Sequence, residues 1–214
     1  MRVAINILSA DKIYAKERIE NLDEKRIVPK MMIRRRLTRN AKIMLYLADK
    51  CGYSGGKIVY ASAFGELQAT TGITDAILNE TQISPTLFQN SVYNSAPSYF
   101  SLLNDDKDEI ITISSGNKSS LDALKTAALQ ALVSGEKVLC VATECLDIDR
   151  IEEVNNCTKY LEIGAGVVLE IAQDDSDALE IESLDEGGII ESVQDLFSLV
   201  QMSEKGYTKF LISL

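Results

Sequence analysis

The sequence predicts an α/β fold, a layered mixed sheet flanked by helices, and three observations carry that expectation. Lys57-Ile-Val-Tyr-Ala61, Glu109-Ile-Ile-Thr-Ile113 and Lys137-Val-Leu-Cys-Val-Ala142 are apolar runs of strand length without a two-residue polar alternation, so each calls for burial on both faces. They alternate with stretches in which apolar residues recur every three or four positions, the helical period. Hydrophobic residues make up 46% of 214, enough for one sizeable core, and no linker, repeat or low-complexity segment divides the chain. A single domain over residues 1–214 is expected.

Taken in order, Val3 to Leu8 reads as an opening strand and Ala10 to Val28 as a charged, irregular or partly helical connection. Leu37 to Lys50 is the first long helix, with Ile43, Met44 and Leu47 on one side and Gly52 ending it. Gly55-Gly56 turns the chain into the Lys57 strand. Phe64 to Asn79 predicts a helix with Thr70-Thr71-Gly72 as a candidate break, and Leu87 to Leu103 is helical or mixed. After the Glu109 strand, Ser114-Ser-Gly-Asn-Lys-Ser-Ser120 is too small and polar to extend it. The helix that follows puts Leu121, Leu124, Ala128, Leu129 and Leu132 on one face, with Ser119 or Ser120 as its cap and Ser134-Gly135 as its end. Beyond the Lys137 strand, Gly164 to Ile171 and Ala178 to Glu182 are expected to pair as a hairpin across an acidic loop. A helix from Ile190 to Met202 and a strand from Lys209 to Leu214 close the set.

Charge and composition exclude several functions. A formal charge of −10 argues against nucleic acid or anionic lipid as a partner, because phosphate binding requires a positive surface. No apolar run reaches membrane-spanning length and the N-terminus has no signal-peptide pattern, so a cytoplasmic protein is expected. The acidic run Asp174 to Glu186 reads as a solvated loop and edge strand. Cys51, Cys140, Cys145 and Cys157 lack metal-ligand or disulfide-framework spacing and read as reduced structural thiols; no metal or cofactor is expected. The chain has no histidine. That removes the commonest general base and every Ser-His or Cys-His pair.

The segment most suited to chemistry is Glu109 to Leu132. A buried strand passes through a tight turn into a long helix, so backbone N–H groups and the positive end of a helix dipole converge where Asn117 stands. Thr112-Ile-Ser-Ser-Gly-Asn-Lys-Ser-Ser-Leu-Asp-Ala-Leu124 resembles the nucleophile turn of β-ketoacyl synthases, whose acyl-accepting cysteine falls on Asn117. Ser84-Pro-Thr-Leu-Phe-Gln-Asn-Ser-Val-Tyr-Asn-Ser-Ala-Pro97 resembles the same family's S-P-x-x-F-x-x-S-V-H-N segment, with Tyr93 where histidine often stands, followed by Asn94. Val28-Pro-Lys-Met-Met-Ile-Arg-Arg-Arg-Leu-Thr-Arg39 resembles the P-x-M-x-R-R-R-L-S-R stretch of a short branch that consists of the N-terminal half alone. Three blocks in the right order, from Val28 to about Glu144, point to one half of the thiolase fold.

The resemblance implies the following. Ketosynthases use the cysteine together with two histidines, or a histidine and an asparagine, from a C-terminal half, and this chain supplies neither the cysteine nor the histidines. An amide is a poor nucleophile, so no catalytic residue is assigned and Asn117 only occupies the nucleophile position. Chain-length factors, which carry an amide there, usually glutamine, and act beside a competent subunit, resemble this situation. The expected role is a catalytically silent subunit that forms a heterodimer with a full-length ketosynthase, or a self-dimer, in fatty acid or aryl-polyene-type polyketide biosynthesis. Ile110 to Ser114 is the candidate interface strand. The alternative is an acyl-carrier-protein or acyl-chain binding module acting without a ketosynthase, through an apolar cleft or the basic patch of Arg34, Arg35, Arg36 and Arg39. Those arginines otherwise pair with the chain's own carboxylates. A third reading, a weak hydrolase or decarboxylase, would use Glu66 or Glu144, and Cys145 is the remaining thiol to weigh as a nucleophile.

Overall fold

The computed structural model describes residues 1–148, 158–181 and 188–214. Its strands are β1 (Arg2–Ala15), β2 (Ile58–Ala61), β3 (Ile110–Ile113), β4 (Val138–Cys145), β5 (Glu162–Ile171), β6 (Leu179–Glu180) and β7 (Lys209–Ser213). Its helices are α1 (Glu24–Ile27), α2 (Met31–Arg34), α3 (Arg39–Lys50), α4 (Leu67–Leu78), α5 (Pro85–Asn90), α6 (Ser95–Asn104), α7 (Ser119–Ser134) and α8 (Glu191–Glu204). The strands form one mixed sheet in the order β3-β2-β4-β5-β1-β7-β6. β2 runs parallel to β3 and β4, whereas β4, β5, β1 and β7 alternate antiparallel.

Period-two pleating divides the core. Val59, Ala61, Val138, Cys140, Ala142, Ala165 and Val167 face α7 and α8, while Ile58, Tyr60, Leu139, Val141 and Val168 face α3 and Phe100 of α6. The layered mixed sheet flanked by helices is therefore the observed class. Gly164 and Gly166 let α3 lie close against β5: a Cβ at Gly164 would sit 2.7 Å from Ile43 Cγ2 and 2.9 Å from Leu47 Cδ1.

Four details differ from the sequence reading. β1 runs on to Ala15, where Ala10 to Ala15 were expected to be irregular; its charged residues are carried by pairing with apolar β5 across a register shift between Ile7 and Ser9. Leu179 and Glu180 do not form a hairpin with β5, both of whose sides are taken by β4 and β1. They pair parallel with β7 at the sheet's edge, and Glu182 lies outside the described residues. α4 passes unbroken through Thr70-Thr71-Gly72: the Thr70 and Thr71 hydroxyls donate back to the carbonyls of Glu66 and Leu67, both at 2.9 Å, and Gly72 is where α5 packs close, since a Cβ there would sit 3.1 Å from Leu87 Cδ1. The buried stripe of α7 is Ala123, Leu124, Ala127, Ala128 and Ala131, with Leu129 and Leu132 exposed; small residues bring this helix close to the sheet.

Cys51, Cys140 and Cys145 are buried free thiols, and Cys157 lies outside the described residues. No helix among the described residues is long and apolar enough to cross a membrane.

Candidate functional site

β3 ends at Ile113 and the chain makes a single 3-10 turn, Gly116–Lys118, before α7 begins at Ser119. Ser119 does not cap α7 as expected. Its hydroxyl donates to the Gly116 carbonyl at 2.7 Å and accepts from the Ser115 N–H at 3.0 Å, so it braces the turn instead. Asn117 is exposed at the head of the helix, and its amide Nδ2 donates to the carboxylate of Glu191, the first residue of α8. One turn further along, the buried Ser120 hydroxyl meets the Asp195 carboxylate at 3.3 Å. Burial pushes the Asp195 carboxyl up against the opposing bond from Ser120. Position 117 thus faces another helix's acidic first turn.

Tyr93 is brought to the same place, as its hydroxyl donates to the Ala63 carbonyl at 3.1 Å and the Ser114 hydroxyl reaches the same oxygen at 3.5 Å. Asn94 precedes the first turn of α6, where its carbonyl accepts from the Ser98 hydroxyl.

A second constellation lies at the carboxyl end of β2 and β4. Glu144 is fully buried, and its two oxygens accept from the Ser62 hydroxyl (2.8 Å), the Ala63 N–H (2.6 Å), the Phe64 N–H (3.3 Å) and the Ser192 hydroxyl of α8 (2.8 Å). Burial raises its pKa, opposed by those donors. Beside it, Tyr60, Thr143 and Asn40 form a buried chain: Tyr60 Oη to Thr143 Oγ1 at 2.7 Å, then Thr143 to Asn40 Oδ1 at 3.0 Å. Glu66 accepts from the Thr38 hydroxyl at 2.7 Å, and burial lifts its carboxyl to about 7. Cys145 is buried among these groups, and desolvation with the nearby Glu162 charge pushes its thiol well above the usual range. It is no activated nucleophile.

The Glu66 carboxyl makes a pH-dependent prediction. Its folded pKa of about 7 exceeds the unfolded value near 4.5. Between those values the folded state keeps a proton that the unfolded chain has lost, so stability falls as pH rises through the window and is flat outside it. The group's share of that fall is about 3 kcal/mol. Glu66→Gln keeps the volume and the acceptor for Thr38, so the difference between the two proteins in urea unfolding is expected to grow in the variant's favour from pH 5 to pH 8. A constant difference would refute it.

The four arginines of the predicted patch separate. Arg39 is buried against Glu162, and Arg34 donates to the Val28 carbonyl at 2.8 Å; Arg35 and Arg36 remain exposed. An open groove of about 420 Å³ lies between Ile33, Leu45, Tyr53, Phe100 and Leu103, and it contains none of Asn117, Glu66 or Glu144. Among the described residues no group of three His, Cys, Asp or Glu side chains is placed to hold a metal ion. The sequence reading missed Glu191, Asp195 and Ser192, which reach the site from more than 45 residues away in the chain.

One segment stands apart from the core. α4 buries only Ala69 and α5 only Asn90, leaving an arm whose Ile77, Leu78 and Phe88 are 61%, 68% and 69% exposed. The root of the arm at Ala63 adjoins Ser114, just past the end of β3, and among the described residues β3 is an edge strand with one unpaired side.

A family model described as "Beta-ketoacyl synthase, N-terminal domain" matches residues 12–186. No curated protein matches the chain. Among solved structures, a chain of "Ketosynthase (ApeO) in Complex with its Chain Length Factor (ApeC) from Xenorhabdus doucetiae" superposes with a TM-score of 0.65 at 22% identity, covering 79% of this chain and 80% of that one. "The ishigamide ketosynthase/chain length factor" gives 0.61 at 14% identity, covering 81% of this chain and 63% of that one. A complex of a type II PKS acyl-carrier protein with its ketosynthase, "AntDE:AntF (apo)", also gives 0.61 at 14%, covering 81% and 64%. At these identities the likeness establishes a thiolase-like fold, and the chain spans under two thirds of the latter two.

Proposed function

The chain belongs to the β-ketoacyl synthase N-terminal domain family, and from that premise we propose that it is a single-domain, non-condensing subunit of the chain-length-factor type. In this reading it pairs in the cytoplasm with a full-length β-ketoacyl-ACP synthase, helps shape that enzyme's acyl tunnel, and serves fatty acid or aryl-polyene-type polyketide biosynthesis. The observation that carries the reading is the amide at position 117, in a turn whose sequence resembles the ketosynthase nucleophile turn, beside a strand that is at the sheet's edge among the described residues. An amide nitrogen is non-basic and its oxygen a weak nucleophile, so Asn117 forms no thioester. A chain without histidine also lacks the groups that ketosynthases use for malonyl decarboxylation. The open β3 edge and the apolar arm are instead suited to a partner chain, and the solved pairing of a ketosynthase with its chain length factor supports a partner of that kind.

The test is co-expression with the ketosynthase encoded nearest to it. A complex that co-elutes on gel filtration supports the proposal. A chain that stays alone, yet binds acyl carrier protein and loses that binding when Arg35 and Arg36 are reversed in charge, would favour the carrier-binding alternative. Asn117→Cys is expected to gain an alkylatable thiol but no malonyl-dependent condensation of its own. Product formed by that variant alone, read by mass spectrometry, would mean that the missing proton chemistry resides elsewhere in the chain.

A further inference from the structure

The arm Leu67–Asn90 meets the body near its two ends, at the leaving end through Leu67 packed against the core, the buried Ala69 and Gln68 Nε2 donating to the Asp147 carbonyl at 2.8 Å, so its direction is set where it leaves and rejoins the body. The rejoining end is tied by Asn90, whose Nδ2 donates to the Arg36 carbonyl at 3.2 Å and whose Oδ1 accepts from Tyr99 at 3.1 Å. The leaving end is the turn Ser62 to Glu66, and three of the four donors on the Glu144 carboxylate come from it. Ser62, held by Glu144, in turn accepts from the Gly65 N–H at 2.8 Å, while the Gly65 carbonyl accepts from Asn40 at 2.7 Å. Gly65 takes φ +57, and a Cβ there would meet the Tyr93 ring at 3.0 Å, so the bend is left-handed and tightly packed.

We propose that Glu144 is the positioning residue of the arm: its carboxylate fixes Ser62, Ala63 and Phe64 in the orientation that presents the arm's apolar face to a ketosynthase-type partner. The partner rests on the reading above, whereas the hold on the turn stands on the hydrogen bonds alone. The chemistry calls for a carboxylate. Four donors converge on two oxygens, and a glutamine would offer one acceptor oxygen and aim an NH2 group at the remaining donors. Continuity supports the occupant, because Tyr93 from the arm's exit and Ser114 from the β3 edge share the Ala63 carbonyl. The arm and the open strand therefore border one surface. Ser192 provides an internal control, since its bond runs from Glu144 to α8 and not to the arm.

The test is hydrogen exchange on the full chain, with affinity for the ketosynthase measured in parallel. Glu144→Gln is expected to speed amide exchange over residues 62–90 about tenfold or more and to weaken ketosynthase binding by a similar factor. Exchange in β4 and β5 should hold steady. Ser62→Ala, which removes one hydroxyl and carries the test if Glu144→Gln does not fold, should do the same to a smaller degree; Ser192→Ala should leave the arm unchanged. Arm exchange at the wild-type rate in Ser62→Ala, or acceleration spread evenly through the sheet, overturns the positioning role. A loosened arm with undiminished affinity upholds Glu144 and overturns the arm as the docking element.

Discussion

Replacing Arg39 with alanine is expected to cost about 3–5 kcal/mol of stability. The guanidinium is buried, and it donates to Glu162 through Nε at 2.6 Å and Nη2 at 2.5 Å and to the Ile19 carbonyl through Nη2 at 2.8 Å. Glu162, fully buried at the start of β5, also accepts the Ile19 N–H at 2.7 Å. One ion pair thereby joins α3, β5 and the loop after β1. Burial works against the Arg39 charge, but the bonds and charge of Glu162 outweigh it and hold the guanidinium protonated. Removing the arginine leaves a carboxylate in the interior with nothing to neutralise it. Glu162→Gln should cost less, because the amide keeps one acceptor and Glu24 Oε1 still stands 3.7 Å from Arg39 Nη1, and replacing Arg39 and Glu162 with hydrophobes of similar volume should recover most of the loss. Urea unfolding of the three variants checks this, with little salt dependence because the pair is shielded from solvent. A loss below about 1 kcal/mol for Arg39→Ala would mean that the pair behaves like a surface bridge.

The second large effect concerns assembly. Ile58 N–H donates to the Glu109 carbonyl and Ser62 N–H to the Ile113 carbonyl, so Ile111 and Ile113 face β2, while the Thr112 N–H and carbonyl point out of the sheet. Thr112→Pro removes the outward donor without taking a bond from β2. If a ketosynthase adds its strand to this edge, the variant is expected to lose about 3 kcal/mol of binding, about a hundredfold in Kd, with thermal stability near the wild type. Sedimentation of the mixed proteins reads the outcome, and unchanged affinity would place the partner elsewhere.

How far the sequence was legible depends on how local each determinant is. The Glu109 strand, its turn and α7 stood out because an apolar run ends at small polar residues and a helical period starts again within a dozen positions. The far half of β1 was hidden: Asp11 and Lys12 look like loop, and only β5 opposite makes them a strand. The same non-locality hid Glu191 and Ser192, whose partners lie in a turn and a strand far back in the chain. The arginines from Arg34 to Arg39 read either as a docking patch or as partners of the chain's own carboxylates, and Arg39 takes the second role, in the interior. Its spacing to Ile43 and Leu47, four and eight residues on, places it on the buried face of α3. A charge at that spacing signals a buried partner, although which carboxylate answers it is settled only by the fold.

The most direct measurement is intact-protein mass spectrometry of the ketosynthase complex during acyl loading and elongation. Acyl groups should appear on the ketosynthase alone, with this chain at its unmodified mass while the product distribution depends on its presence. A covalent acyl adduct on this chain, or products indifferent to it, would contradict its role as a non-condensing partner.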